Sequence, residues 1–329
     1  MTKKRDVVEQ YIRKFPDTPN LTLAKKIMKD KPELFPSVET IRHQIRIVKG
    51  ASGKAMSKYS VPELKENRDD KKNPFKLPES YNTEWEVYYI PHSIKKLLVL
   101  SDIHIPYHDI EAITVALKKG KEEKVDGILI NGDLIDFHTL SRYEKDPSAR
   151  SMWEEIEATR DFLDILKSEF KNSIIYYKTG NHCERVEKYL RVKAPELLDC
   201  PDFKLDVLLR LGEKKINYID DKRIIDFCGI SILHGHEFFG SPSQSVNPAR
   251  GLWNKTYSSS MIGHLHKTSS NTEIPLRGSI HATWSLGCLC GLTPEYARIN
   301  RWNHGFAIIE NNGDAYKVNN YMIYNGKVL

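Results

Sequence analysis

The feature that most constrains this chain is a set of five apolar runs, each ending in residues that can bind a metal ion. The ends are Asp102-Ile103-His104, Gly132-Asp133, Gly180-Asn181-His182, His234-Gly235-His236 and Gly263-His264-Leu265-His266. The runs that precede them are short and apolar, which is typical of buried strands. Strands alternating with helical patterns predict a layered α/β domain. We therefore expect a metal site where these strands end at one edge of a sheet.

The donor atoms at these ends favour transition metals. Asp102 and His104 alternate with Ile103, and residues two apart in an extended backbone face the same side, so both could bind one ion. The Asp133 carboxylate could bridge two ions. The remaining donors are the carbonyl oxygen of Asn181 and the imidazoles of His234, His264 and His266. This mixture suits two divalent ions, Mn²⁺ first and Fe²⁺, Zn²⁺, Ni²⁺ or Co²⁺ as alternatives. A metal pair is well suited to displacement at phosphorus.

In their order, the five motifs resemble the pattern of the calcineurin-like metallophosphoesterase family, which runs D-x-H, G-D-x-x-D, G-N-H-[DE], H and G-H-x-H. The matched part spans Leu97 to His266. The resemblance implies a four-layer α/β/β/α sandwich. It also implies two ligand sets: Asp102, His104, Asp133 and His266 for one ion, and Asp133, Asn181, His234 and His264 for the other.

The same resemblance assigns the chemistry. It implies that a hydroxide bridging the ions attacks phosphorus, while His182 protonates the leaving oxygen as general acid. The family has Asp or Glu after this histidine, whereas this chain has Cys183. We expect either that Glu184 substitutes for that carboxylate or that His182 has a lower pKa and a weaker orientation. Arg185 is a candidate phosphate contact, with a surface salt bridge as the alternative.

Three further features lie close to the motifs. Asp136 is expected behind the ligands, where it would orient a ligand histidine through a hydrogen bond. His236 follows His234 by two residues and could touch metal or substrate by proximity. Cys288-Leu289-Cys290 lacks the spacing of a zinc knuckle, and we interpret it as packing.

Charge separates the N-terminus from the rest of the chain. The first 60 residues contain 14 Lys and Arg against 6 Asp and Glu, whereas the whole chain has 50 against 44. The entire basic excess therefore lies in this segment. Such an asymmetry indicates a separate module with a polyanionic partner.

The same segment has helical periodicity. Apolar spacing predicts three short helices, and the third would be capped by Ser37 and ended by Gly50. This arrangement resembles a helix-turn-helix, with Arg42, His43 and Arg46 on the outer face of the third helix as candidate nucleic-acid contacts. A small helical bundle that docks on a protein is the alternative.

Composition along the chain predicts where its domains begin and end. We predict a helix-turn-helix-like basic module at 1–50, a polar linker at 51–84 and the metallophosphoesterase domain at 85–329. No apolar run approaches the about 18 residues that a membrane helix needs. With no secretory signal and an odd count of five cysteines, we expect a cytoplasmic location and no disulfide framework. The oligomeric state is open.

These features lead to one function and two alternatives. The leading hypothesis is a metal-dependent phosphodiesterase or nuclease that acts on nucleic acid. The second is a phosphomonoesterase of proteins or nucleotides, with the N-terminal helices as a docking module. The third is a non-catalytic scaffold, against which the presence of Asn181 and His182 argues. Substrate choice would lie in the cleft walls, at 138–150 and 236–257.

Overall fold

The chain divides into two compact units, Met1–Thr83 and Glu84–Leu329. The computed structural model describes residues 2–16, 18–51, 85–142, 150–220, 222–238, 246–276, 278–313 and 315–329, with a few positions between 52 and 84. Most of the predicted linker lies outside these residues, as do 143–149 and 239–245 of the predicted cleft walls.

The N-terminal unit is a bundle of three helices, which are α1 (Thr2–Lys14), α2 (Asn20–Asp30) and α3 (Val38–Val48). The Ser37 hydroxyl accepts a hydrogen bond from the backbone N–H of Thr40 at 3.2 Å and caps α3 as predicted. Buried apolar side chains from all three helices form its core: Val8, Ile12, Leu23, Ala24, Ile27, Ile41, Ile45 and Val48, with Phe35 from the turn. Val61 and Leu64, from the segment assigned to the linker, also pack against this core.

The second unit contains two sheets. Its described strands are β1 (Tyr88–Tyr89), β2 (Lys96–Leu100), β3 (Gly127–Asn131), β4 (Ile174–Lys178), β5 (Asn217–Ile219), β6 (Ile225–Phe227), β7 (Ile230–Leu233), β8 (Ser260–Ile262), β9 (Ser269–Glu273), β10 (His281–Ser285), β11 (His304–Asn311), β12 (Tyr316–Tyr324) and β13 (Lys327–Val328). The strand order is β13-β12-β11-β2-β3-β4-β5 in one sheet and β1-β6-β7-β8-β10-β9 in the other. Strands β2 to β5 are mutually parallel, as are β7, β8 and β10.

Five helices of this unit are α4 (Ile110–Glu122), α5 (Met152–Glu169), α6 (Arg185–Lys193), α7 (Leu205–Leu208) and α8 (Pro248–Thr256). Strand β2 shows how they form layers. Leu98 and Leu100 pack into the core shared with α4, α5 and α6, whereas Leu97 and Val99 face the core between the two sheets. On the far side, Leu252 of α8 packs against the second sheet. The predicted four-layer α/β/β/α sandwich is therefore confirmed.

A hairpin through Cys228-Gly229 joins β6 and β7. The segment 236–257, predicted to form part of the cleft walls, contains helix α8, which was not predicted. Asn247 caps this helix by accepting a hydrogen bond from the Arg250 N–H at 3.1 Å, and Pro248 is its first residue. Strand β9 was also missed, because its five residues are polar and it lies at a sheet edge.

Candidate metal and catalytic site

The predicted ligands converge where the strands of both sheets end. Asp102, Asp133 and Asn181 follow β2, β3 and β4, while His234 and His264 follow β7 and β8. The two edges are joined because the Asn131 amide donates a hydrogen bond to the Leu233 carbonyl at 2.8 Å. Parallel strands thus bring distant segments to one place, as sheet topology requires.

The backbone at the site is left-handed rather than extended. Asp102 and His104 have φ values of 55° and 52°, and Asp133, His264 and His266 also have positive φ. The expectation that Asp102 and His104 face one side through an extended backbone was therefore wrong, although both do face the cluster. Such residues cost on the order of 1–3 kcal/mol each and tend to occur at functional sites.

One carboxylate oxygen of Asp102 accepts hydrogen bonds from neighbouring groups, and the other faces the histidines. Its Oδ2 accepts hydrogen bonds from the Ser101 hydroxyl at 2.6 Å and from the His264 N–H at 2.8 Å. Its Oδ1 lies 3.1 Å from His266 Nε2. Burial opposes ionisation, but the charges of His266 and His234 lower the pKa of Asp102 below its usual value.

Asp133 lies between the two predicted ligand sets. Its Oδ1 accepts a hydrogen bond from the His182 N–H at 2.8 Å, while Oδ2 lies 3.1 Å from His234 Nε2 and 3.9 Å from His104 Nε2. Gly180 permits this approach, because a Cβ there would lie 2.3 Å from Asp133 Oδ1. The Asn181 Oδ1 is 3.3 Å from His234 Nε2. The Asp133 carboxylate is thus within reach of donors from both sets.

Hydrogen bonds behind the histidines direct a ring nitrogen into the cluster. The Nδ1 of His234 lies 2.8 Å from the Asn131 carbonyl, which fixes it as a donor, and His104 Nδ1 lies 3.0 Å from Asp136 Oδ2. Within the described chain, the buried His104 Nε2 has no hydrogen-bond partner. A buried imidazole nitrogen without a partner, facing two carboxylates, fits a metal ion, because histidine ligands commonly use their second nitrogen in this way.

The pKa values of two of the histidines also indicate a site for cations. Although burial opposes a charged imidazole, the carboxylates of Asp133 and Asp102 raise the pKa of His234 to about 9. Burial and the positive charge of His234 lower the pKa of His264 to about 4. The two carboxylates therefore create a local negative potential that cations would neutralise.

His182 belongs to a polar group at the rim of the cluster. Its Nδ1 lies 3.1 Å from Asp136 Oδ2, and Arg185 Nη2 is 3.2 Å from its Nε2. The same guanidinium donates to Asp136 Oδ1 at 2.9 Å. Burial lowers the pKa of His182, against the opposing effect of Asp133. Asp136 thus contacts both His104 and His182, and Arg185 is paired at the site rather than on the outer surface.

Glu184 does not occupy the position expected for the substitute carboxylate. Its oxygens pair with His236 Nε2 at 2.9 Å and with Lys188 Nζ at 2.6 Å, while Asp136 is the carboxylate beside His182. The neighbouring Cys183 is buried in the apolar core, with its Sγ 3.0 Å from the Tyr177 hydroxyl. Adjacency in sequence was misleading here because the chain is turning into α6, which sends successive side chains in different directions.

Sequence reasoning missed a buried ion pair behind His234. Lys178 Nζ lies 3.0 Å from Glu237 Oε1, and Lys178 is fully buried. The Glu237 carboxylate also accepts hydrogen bonds from the backbone N–H groups of His234 at 3.0 Å and Gly235 at 2.6 Å. Burial lowers the pKa of Lys178; burial raises that of Glu237, but Lys178 and nearby histidines outweigh this and lower it to about 2. A Lys two residues before a G-N-H motif was the available signal.

Two residues lie against His266: Cys290, which was interpreted from the sequence as packing, and Trp302, which was not predicted. The Cys290 Sγ lies 3.9 Å from His266 Nδ1, and the Trp302 ring centroid is 4.1 Å from that of His266. Donor atoms of three groups come within 4.8 Å of one another and could hold a metal ion: His104, His266 and Cys290; His104, Asp133 and His182; and Asp133, His234 and His264. All but one of these residues, Cys290, had been singled out from the sequence as a ligand or catalytic group.

The candidate nucleic-acid contacts belong to the other unit. Arg42, His43 and Arg46 lie on α3, with His43 and Arg46 exposed and Arg42 half-buried. Arg42 Nη1 is 3.4 Å from the Glu39 carboxylate, and Arg46 Nη2 is 3.5 Å from the Ala51 carbonyl. These are weak surface contacts that a stronger anion could replace.

Comparison with known proteins identifies the family. The model of the calcineurin-like phosphoesterase family matches residues 95–286, more than half of the chain. The chain therefore belongs to the calcineurin-like phosphoesterase family and is a hydrolase of phosphate esters. The family binds two divalent metal ions, for which the histidine and aspartate groups above are candidate ligands.

Individual relatives are distant. The Gene 54 protein of Mycobacterium phage L5 is 25% identical over 235 residues, covering 68% of this chain and 91% of the phage protein. A Vps29 mutant from Entamoeba histolytica is similar at 14% identity and a TM-score of 0.39, covering 71% of this chain and 96% of that one. A dimetal phosphatase from Danio rerio has 12% identity and a TM-score of 0.37, with 69% and 96% covered.

Among the described residues, the helices are too short or too polar to span a bilayer.

Proposed function

We propose that the protein is a phosphodiesterase that cleaves nucleic acid, using a pair of divalent ions. The observation that carries the metal-dependent part is the buried Nε2 of His104, which has no hydrogen-bond partner among the described residues and lies 3.9 Å from oxygens of both Asp102 and Asp133. The proposed ligand sets are those given by the resemblance: Asp102, His104, Asp133 and His266, and Asp133, Asn181, His234 and His264. Ions bound there would supply Lewis acidity and a nucleophile of lowered pKa.

The chain's own groups account for the other steps. Asp136 Oδ2 pairs with His104 Nδ1 in a hydrogen bond and orients that ring. The same oxygen lies 3.1 Å from His182 Nδ1 without hydrogen-bond geometry, so it would stabilise His182 as a charged ring. Protonated His182 would donate its Nε2 proton to the leaving oxygen, a contribution of about 10²–10⁴ in rate. In the neutral ring, Nε2 accepts from Arg185. Arg185 is also close enough to exchange this contact for a phosphate oxygen, to which a guanidinium is well matched.

The nucleic-acid part of the proposal is supported by charge. The first 60 residues carry the basic excess of the whole chain, and α3 has an apolar inner face and an outer face with Arg42, His43 and Arg46. We propose that this unit contacts the phosphate backbone, as a helix-turn-helix-like module. Such contacts are strengthened by counterion release and weaken as salt rises.

The test uses full-length protein with labelled single-stranded and duplex DNA, bis(p-nitrophenyl) phosphate and p-nitrophenyl phosphate. We expect Mn²⁺-dependent cleavage of the diester and of DNA, and loss of both in Asp133→Asn. Turnover of the monoester alone would overturn the phosphodiesterase assignment and favour a phosphomonoesterase. Diester turnover without DNA cleavage or binding would overturn the nucleic-acid part.

A further inference from the structure

The segment from Gly287 to Gly291 lies directly against the loop that carries Asp102 and His104. The Leu289 N–H donates to the Asp102 carbonyl at 3.0 Å, and the Gly291 N–H donates to the Tyr107 carbonyl at 2.9 Å. These bonds, one on each side of Cys290, fix the position of its backbone relative to the metal site.

The Cys290 side chain faces imidazole nitrogen rather than an apolar core. It is 4% exposed, its Sγ is 3.9 Å from His266 Nδ1, and nitrogens of His104 and His266 come within 4.8 Å of this sulfur. Because Asp136 pairs with His104 Nδ1, Nε2 is the nitrogen of His104 left for a metal ion, and it is buried without a partner in the part of the chain that the structure describes.

Cys183 provides the contrast within the same unit. It is equally buried, but it packs in the core between the first sheet and its helices, and its sulfur contacts the Tyr177 hydroxyl. Burial raises the pKa of Cys183 to about 11. That environment suits a structural thiol, whereas Cys290 has two imidazoles and the Asp102 loop around it.

We propose that Cys290 is a sulfur donor to a divalent ion that it binds together with His104 and His266. This inference rests on the proposed metal site and extends its ligand set. A thiol that binds a metal gives up its proton, here to solvent. Sulfur ligation favours borderline-soft ions, so the site would select Zn²⁺, Fe²⁺ or Co²⁺ over Mn²⁺ and Mg²⁺. This ion would then differ from the second, whose proposed donors are oxygen and nitrogen and for which Mn²⁺ remains the expected activating ion.

The test begins with the wild-type protein stripped of metal and reloaded with Co²⁺. We expect a near-ultraviolet thiolate-to-cobalt charge-transfer band, absent in Cys290→Ser. Cys228→Ser is the control, since Cys228 lies in the hairpin between β6 and β7 and packs against the core between the two sheets; there the band should persist. The Zn²⁺ affinity of Cys290→Ser should fall by more than the about 10–100-fold that the loss of a partner behind a ligand causes.

A second measurement does not depend on any variant folding. X-ray absorption of the Zn²⁺-loaded wild type should show a sulfur shell near about 2.3 Å. Two bound ions with only nitrogen and oxygen shells, and no charge-transfer band with Co²⁺, would overturn the sulfur ligand while leaving the proposed function standing. That result would mean that Cys290 only contacts His266 Nδ1. Failure to bind metal at all would overturn both proposals.

Discussion

The two units of this protein present their candidate functional residues in opposite ways. In the sandwich, most candidate ligands are buried, and five of them have a left-handed backbone. In the helical unit, Arg42, His43 and Arg46 lie on an outer surface with weak local contacts. Substitutions should therefore have large and localised effects in the first unit, and small and graded effects in the second.

The largest expected effect is that of Asp133→Asn. An amide removes the negative charge shared by the two proposed ligand sets, so we expect loss of metal binding and of metal-dependent hydrolysis. Metal content by mass spectrometry and turnover of bis(p-nitrophenyl) phosphate measure this. Asp161→Asn, an exposed position on α5, is the control. An Asp133→Asn protein that binds two ions and retains activity would contradict the assignment.

His182→Ala should separate proton transfer from metal binding. We expect kcat to fall by about 10²–10⁴ for substrates with poor leaving groups, with the metal content unchanged. Because p-nitrophenol leaves readily without protonation, the loss should be smaller for nitrophenyl esters. Equal losses for both kinds of substrate would show that His182 does not act as the general acid.

Glu237→Gln tests whether the buried ion pair with Lys178 positions His234. The amide keeps the shape of the side chain but loses the negative charge that pairs with Lys178. It also keeps only one of the two oxygens that accept the backbone N–H groups of His234 and Gly235. We expect metal affinity to fall by about 10–100-fold, measured by calorimetry. Lys178→Met should give a similar loss, whereas Glu187→Gln, on the surface of α6, should give none. Unchanged metal affinity in the Glu237 and Lys178 variants would show that the ion pair does not position His234.

Within the helical unit, a core change and a surface change should differ sharply. Ile41 is fully buried on α3, so Ile41→Ala should lower the free energy of unfolding of this unit by about 2–5 kcal/mol. Thermal unfolding followed by circular dichroism measures it. Turnover of small diesters at low temperature should be unchanged, and a parallel loss would show that this turnover depends on the helical unit.

The smallest effect is expected for Arg42→Ala. If Arg42 contacts phosphate, binding to duplex DNA should weaken similarly across sequences, and the slope of log K against log salt should decrease by about 1. Arg13→Ala on α1 removes the same charge from another helix and serves as the control. Equal effects of the two substitutions would mean that net charge, rather than the face of α3, drives binding.

Strand positions were most predictable from the sequence where both faces of the strand are buried. Strands β2, β3 and β4 are continuous apolar runs, so their positions and the donors that follow them could be predicted. Strand β9 could not, because an edge strand need not be apolar. Helix α8 was missed although Asn247-Pro248 is a capping signal.

The site was predictable in its residues but not in its connections. The motifs gave the ligands, yet the left-handed backbone of Asp102 and His104 has no simple signal, because Asp and His also occur in extended structure. The partners of Glu184 depend on how the chain turns into α6. Cys290 lies 24 residues beyond His266 in sequence, and only the fold places their side chains 3.9 Å apart.

The left-handed backbone also affects how freely this metal centre can change during evolution. Aspartate, asparagine and histidine are several-fold enriched in that conformation, and these residue types also supply the oxygen and nitrogen donors here. Except at Asp133, whose charge both proposed ligand sets share, one ligand could be exchanged for another of the three without rebuilding the loop beneath it. Selection could thus retune the preference for one ion over another by single substitutions, while a branched aliphatic residue at the same place would lose both the donor and the turn.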